Sequence, residues 1–205
     1  MKTKLLLLIG TVVGILACKN PIANLSLPAT QDRQATPIPT PIPVPNGDFE
    51  NWDWQLRPTN WYTNGCALCV GAPFDEYVVK KDSQTVYHGA YSALFMYNYN
   101  FQAYAKIKFP LTIHPNQLQA HVFCYLYTPD TVSISIKLLK NSRTVDSGYW
   151  QSTMPITNFT QINIPITTGT AIIDSAVLLI KGGKNIAPNN FNTTAFWVDD
   201  LVLFK

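Results

Sequence analysis

From Asn46 onward, apolar and polar positions alternate in short runs, and the period is that of strands. The clearest run is Leu118 to Tyr127. Leu118, Ala120, Val122, Cys124 and Leu126 fall on one face, and Gln119, His121, Phe123, Tyr125 and Tyr127 on the other. Thr128-Pro129-Asp130-Thr131 then reads as a turn, with proline pre-set for its first central position. Val132, Ile134, Ile136 and Leu138 alternate next with Ser133, Ser135 and Lys137. The pattern predicts a β-hairpin with one core face. Asn141-Ser142 turns the chain again into a strand over 144–151. Further strands are predicted over 76–80, 92–97, 103–109, 159–166, 175–180 and 195–204, with no helix. Many short strands with regular turn signals argue an all-β sandwich or barrel.

The first 45 residues have none of this alternation. Lys2 and Lys4 precede an apolar run, Leu5 to Ile15, closed by Leu16-Ala17-Cys18. A basic head, a short apolar stretch and a small residue before the cut make residues 1–17 a signal peptide. The run is shorter than the about 20 residues a membrane-spanning helix needs. Residues 18–45 follow as a tether. Its end, Thr36 to Pro45, alternates proline with β-branched and other residues, which predicts an extended polyproline spacer. Residues 46–205 form the single domain.

Composition narrows the function classes. Only 13% of residues are charged, which favours strands and turns over solvated helices. The formal charge of +3 falls to +1 without Lys2 and Lys4. That net charge gives no footprint for nucleic acid. No catalytic constellation emerges. Gly89-Ala90-Tyr91-Ser92 departs from a nucleophile elbow, and His88, His114 and His121 lack zinc spacing. Asp199 and Asp200 are adjacent, so on a regular strand they project to opposite faces and cannot flank one glycosidic bond. The expectation is a protein that is not an enzyme. Cys66-Ala67-Leu68-Cys69 lacks the helical context of a redox motif. In an exported chain a Cys66–Cys69 disulfide is the better reading, with Cys124 a buried free thiol.

Two resemblances add to this. Ile15-Leu16-Ala17-Cys18 resembles the lipobox of bacterial lipoproteins, with Ala17 fitting and Leu16 larger than usual. That likeness implies that Cys18 becomes the acylated N-terminus of a protein anchored in the cell envelope, with the outer membrane expected. The other reading is an ordinary secretory signal with an incidental cysteine. Asn46-Gly47-Asp48-Phe49-Glu50 with Trp61, then His88-Gly89-Ala90-Tyr91-Ser92, then Phe196-Trp197-Val198-Asp199-Asp200-Leu201-Val202-Leu203 resemble, in order, the opening, middle and closing motifs of carbohydrate-binding modules with a galactose-binding-like jelly roll. The resemblance implies a jelly-roll β-sandwich of two antiparallel sheets whose first and last strands lie side by side. It also implies a structural calcium ion held by Glu50 and Asp199, with Asp48 and Asp200 as weaker candidates. Carbonyls around 81–88 would complete a shell of about six to eight oxygens. Alternatively both carboxylates sit at a solvated rim and bind nothing.

The ligand face is sought opposite the core. Phe123, Tyr125 and Tyr127 share it with Ser133, Ser135 and Lys137 if the hairpin forms, and Tyr97, Tyr99 and Trp150 could join. Aromatic faces stack on sugar C–H surfaces while hydroxyls and amides meet sugar hydroxyls. Against this, Tyr and Phe are simply good strand residues, and the segment Trp52 to Phe74 could cover the face. Trp52, Trp54 and Trp197 are assigned to core or strand-end packing, although Trp54, in a loop, could instead touch ligand. The favoured partner is carbohydrate; the runner-up is another envelope protein, bound in adhesion or assembly.

Overall fold

The computed structural model of the chain divides it into two units, Met1–Pro37 and Ile38–Lys205. It describes residues 39–64, 79–96, 102–127, 129–167, 169, 171–183 and 194–205. All of these belong to the second unit. The signal peptide, Cys18, the Cys66–Cys69 pair, Tyr97 and Tyr99 lie outside the described residues.

Eleven strands are described, and no helix. They are β1 (Pro41–Pro43), β2 (Tyr62–Thr63), β3 (Val79–Asp82), β4 (Ser92–Met96), β5 (Tyr104–Pro110) and β6 (Gln117–Tyr125). β7 (Val132–Lys140), β8 (Arg143–Ser152), β9 (Ile156–Pro165), β10 (Ser175–Lys181) and β11 (Ala195–Phe204) follow. They form two antiparallel sheets. The six-stranded sheet runs β3-β4-β11-β6-β9, with β1 added on β11. The five-stranded sheet runs β2-β5-β10-β7-β8. From β5 to β11 the chain passes back and forth between the sheets, staying in one only for the β7–β8 hairpin, which makes the domain a jelly-roll β-sandwich.

The core is what the alternation demanded. Leu118, Ala120, Val122 and Cys124 of β6 face Ile134, Ile136 and Leu138 of β7 and Leu178 and Ile180 of β10 in one buried cluster. The β6–β7 hairpin is not formed. β6 pairs with β11 and β9, while β7 pairs with β10 and β8, so the two consecutive strands lie in different sheets. Alternation shows which face is apolar. It does not say whether the strand that covers that face lies beside it or opposite it. Ser133, Ser135 and Lys137 therefore face solvent on the other side of the molecule from Tyr125. The tight turn comes one connection later. Asn141 and Ser142 both take positive φ, 50° and 62°, and join β7 to β8 with Lys140 opposite Arg143.

The two ends of the domain lie together. β1 pairs with β11, Pro41 opposite Phe204 and Pro43 opposite Val202. The sheet thus begins inside the stretch expected to be tether, before Asn46. Proline is tolerated there because an edge strand has no second neighbour to claim the missing N–H. Leu201 N–H donates to Gly47 O at 2.9 Å, and a Cβ on Gly47 would stand 2.5 Å from Leu201 O. Only glycine permits that approach. Asn46 holds the next loop, accepting from Asn51 N–H at 3.0 Å and donating to Asn51 O at 2.8 Å and Thr59 O at 3.1 Å. Phe49 is fully buried against Trp61 with ring centroids 5.3 Å apart.

β11 carries a bulge. Asp199 is opposite His121 and Val202 opposite Gln119, so one extra residue enters between them, and Asp200 takes φ 48°. Phe196 and Val198 point inward before the bulge, Leu201 and Leu203 after it. The bulge keeps Asp200 out of the core and replaces the regular alternation expected of Asp199-Asp200.

Candidate functional site

The outer face of the six-stranded sheet carries an aromatic cluster. Phe123 on β6 stacks on Trp197 of β11, centroids 4.8 Å apart at 27°. Tyr125 meets both edge-on, 4.9 Å from Phe123 and 5.9 Å from Trp197. Phe159 from β9 lies 5.8 Å from Phe123 and 5.9 Å from Tyr87. Tyr87 stacks on His121 at 3.6 Å and 11°. Phe123 is buried by its neighbours, whereas Tyr125 is 56% and Tyr127 43% exposed. Further along β6 and β9 the same face turns polar. Gln119 and Gln161 each donate to Asn163 Oδ1 at 3.3 Å. The arrangement is a half-buried aromatic bed with an open tyrosine at one end and amides at the other.

Sequence reasoning placed Phe123, Tyr125 and Tyr127 on this face, and the structure brings Phe123 and Tyr125 together. Trp150 does not join them. It lies opposite Ile134 in the five-stranded sheet and packs inward, 6.2 Å from Phe196. Trp197, assigned to packing, belongs to the bed, and its Nε1–H donates to Asp82 Oδ2 at 2.6 Å. Its outward direction follows from its parity with inward Phe196 and Val198. Tyr87 and Phe159 had no such signal, because one arrives on a loop and the other depends on the β6–β9 register. Trp54, also assigned to packing, is exposed. Asp53 Oδ1 accepts from Gln55 and Arg57 N–H at 2.9 Å each, and this tight loop turns Trp54 outward.

The carboxylates Glu50 and Asp199 grip one loop from two sides. Asp199 Oδ2 accepts from Tyr87 N–H at 3.1 Å and His88 N–H at 3.2 Å, and Oδ1 accepts from Asp200 N–H at 2.9 Å. Glu50 Oε1 accepts from Ala90 N–H at 2.8 Å and Tyr91 N–H at 3.0 Å. Gly89, at φ 76°, passes so close to Glu50 that a Cβ would collide with the carboxylate. The loop that carries Tyr87 is therefore fixed over the sheet. Asp199 is fully buried, so it is not at a solvated rim. Burial pushes it up to about 6, against the N–H donors that lower it. Burial holds the His121 imidazole below its ordinary value, opposed by the Asp200 carboxylate.

Glu50 and Asp199 are the residues that could hold a calcium ion here. Among the described residues Glu50 Oε2 has no hydrogen-bond donor, and three N–H groups leave the buried Asp199 charge short of compensation. No three His, Cys, Asp or Glu gather among the described residues. The remaining oxygens of such an ion would come from main-chain carbonyls and water. Asp48 and Asp200 are set differently. Asp48 Oδ1 accepts from Glu50 N–H at 3.4 Å, and Asp200 Oδ2 lies 3.9 Å from His88 Nδ1.

No protein-family model matches the chain, and no curated protein matches it. Solved structures align with it at low identity. A family 61 carbohydrate-binding module in complex with beta-1,4-galactotriose matches 79% of this chain and 97% of its own at 12% identity, TM-score 0.43. A family 30 carbohydrate-binding module of a Clostridium thermocellum cellulosomal cellulase matches 62% of this chain and 81% of its own at 13% identity, TM-score 0.41. A cyclase from Fischerella sp. TAU matches 82% and 97% at 12% identity, TM-score 0.47. Binding modules and an enzyme thus stand side by side among the similar folds, and likenesses this distant assign no activity.

Proposed function

We propose that the chain is a non-catalytic carbohydrate-binding module, carried in the cell envelope by a lipid on Cys18. The observation that carries the reading is Tyr125, half open to solvent on a bed of Phe123 and Trp197. A ring held from below loses little freedom when a sugar stacks on it. The amides of Gln119, Gln161 and Asn163 on the same face supply hydrogen bonds to hydroxyls. The anchor rests on the sequence of residues 1–18 alone. Glycan-array binding followed by calorimetry tests the face. Tyr125→Ala is expected to weaken the best glycan by about tenfold or more with the fold intact. Unchanged affinity, or retention on an envelope protein without any sugar binding, would discard the reading.

Calcium at Glu50 and Asp199 is the second part of the proposal, supported by the buried, under-compensated Asp199. Millimolar calcium is expected to raise the melting temperature by several degrees. Glu50→Gln and Asp199→Asn are each expected to abolish that response. A wild-type melting temperature indifferent to calcium would remove the ion from the account.

A further inference from the structure

The five-stranded sheet has a second outer face of opposite character. Its registers place Tyr62, Lys106, Leu179, Ser135 and Tyr149 in one row across all five strands. The row spans about 19 Å at the usual strand spacing. Tyr62 and Tyr149 at its two ends are 65% and 59% exposed. On one side of it Lys108 and Lys137 flank Val177. On the other, Lys181 lies between Tyr104 and Ser133. Neighbouring ammonium groups are thus rooted about 7–10 Å apart. None of Lys106, Lys108, Lys137 and Lys181 forms an ion pair among the described residues. The nearby carboxylates are otherwise engaged. Asp146 faces His114 Nε2 at 3.4 Å, and Asp174 accepts from Asn141 N–H at 2.6 Å and Ser175 Oγ–H at 2.8 Å at the margin of the patch. Asp130 is buried. Beside the row a cavity of about 270 Å³ is lined by Gln102, Pro129, Asp130, Thr131, Ser133, Tyr149 and Lys181.

We infer that this face binds an anionic glycan, a polysaccharide bearing carboxylate or sulfate groups. Four ammonium groups without a salt bridge, of which only Lys108 also faces a carboxylate, that of Asp174, concentrate negative counter-charges on a low-dielectric sheet. Charge alone would serve any polyanion. The terminal tyrosines and the hydroxyl- and amide-lined recess add what a sugar chain needs, namely ring faces to stack on and partners for its hydroxyls. This inference does not depend on the aromatic face, since no residue is shared.

The test uses the full chain with polygalacturonate, alginate and dextran sulfate, measured at low and high salt. Binding to at least one is expected, weakening steeply with salt. Lys106→Gln/Lys108→Gln/Lys137→Gln is expected to lose about tenfold or more, while Tyr125→Ala leaves this binding unchanged. Methyl-esterified polygalacturonate, with the same backbone and no charge, is expected to lose what polygalacturonate gains. The inference is overturned if none of the three polymers binds. It is equally overturned if single-stranded DNA or phosphatidylserine vesicles bind as tightly and respond alike to Tyr149→Ala, because the face would then read charge alone. Loss of neutral-glycan binding in Tyr125→Ala with polyanion binding retained separates the two faces whichever one fails.

Discussion

The two outer faces of this sandwich are built on similar alternating strands and reach opposite ends. On the six-stranded sheet the outward positions are aromatic and partly covered: Phe123 and Trp197 stack, and a clamped loop lays Tyr87 over His121. On the five-stranded sheet they include lysines, serines and exposed tyrosines, Tyr62 meeting only Tyr104 and Tyr149 bonding Gln151. The first face is fixed by contacts and contributes to the fold. The second leaves its lysines without salt bridges among the described residues and contributes little to the fold. An outward residue that is packed serves stability before it serves a ligand, and an outward residue that is unpaired is available for a partner.

That difference can be broken first through stability. Trp197→Ala removes the stack on Phe123 and the bond to Asp82, and is expected to cost about 3 kcal/mol in denaturant unfolding. A loss below about 1 kcal/mol would show that the aromatic bed is surface decoration. The next effect is on pH, and it belongs to the aromatic face alone. The folded Asp199 holds its proton up to about 6, while the unfolded carboxylate ionises near its ordinary value of 3.8. The native state therefore binds more protons between those values, and stability should fall as pH rises through that window. The loss is on the order of 3 kcal/mol in calcium-free buffer, measured by unfolding at successive pH values. Bound calcium would lower the folded pKa and erase that slope; a flat profile in chelator would contradict the buried charge. The smallest effect lies opposite. Lys137→Ala should change stability by less than about 0.5 kcal/mol, as for a solvated side chain.

Much of this was legible before any coordinates. The strands from Tyr104 to Phe204 follow the alternation to within a few residues, because each buries one face. What the pattern could not carry was pairing. An apolar face looks the same under a neighbour in its own sheet or in the opposing one, so the β6–β7 crossing and the inward Trp150 escaped it. The bulge at Asp200 had left a mark in the sequence: inward positions change parity between Val198 and Leu201. The basic face was hidden by the net charge, since Asp82, Asp199 and Asp200 sit on strands of the other sheet and Glu50 holds the loop beside it. A sum near zero says nothing of how charges are segregated. Glu50 and Asp199 were both found by resemblance, but the N–H groups that each one accepts needed the loop in three dimensions.

The pairing of the chain's two ends also governs how the protein is made. β1, β4 and β6 all hydrogen-bond to β11, and Lys205 N–H reaches back to Thr40 O at 3.2 Å. β4 also pairs with β3 and β6 with β9, so β1 is the strand that depends on β11 alone. That pairing joins segments far apart in sequence, and such distant contacts are slow to find. Because Thr40 and Lys205 lie side by side, the same domain could be joined there and reopened at the Asn141-Ser142 turn, which would make the β1–β11 pairing local in sequence.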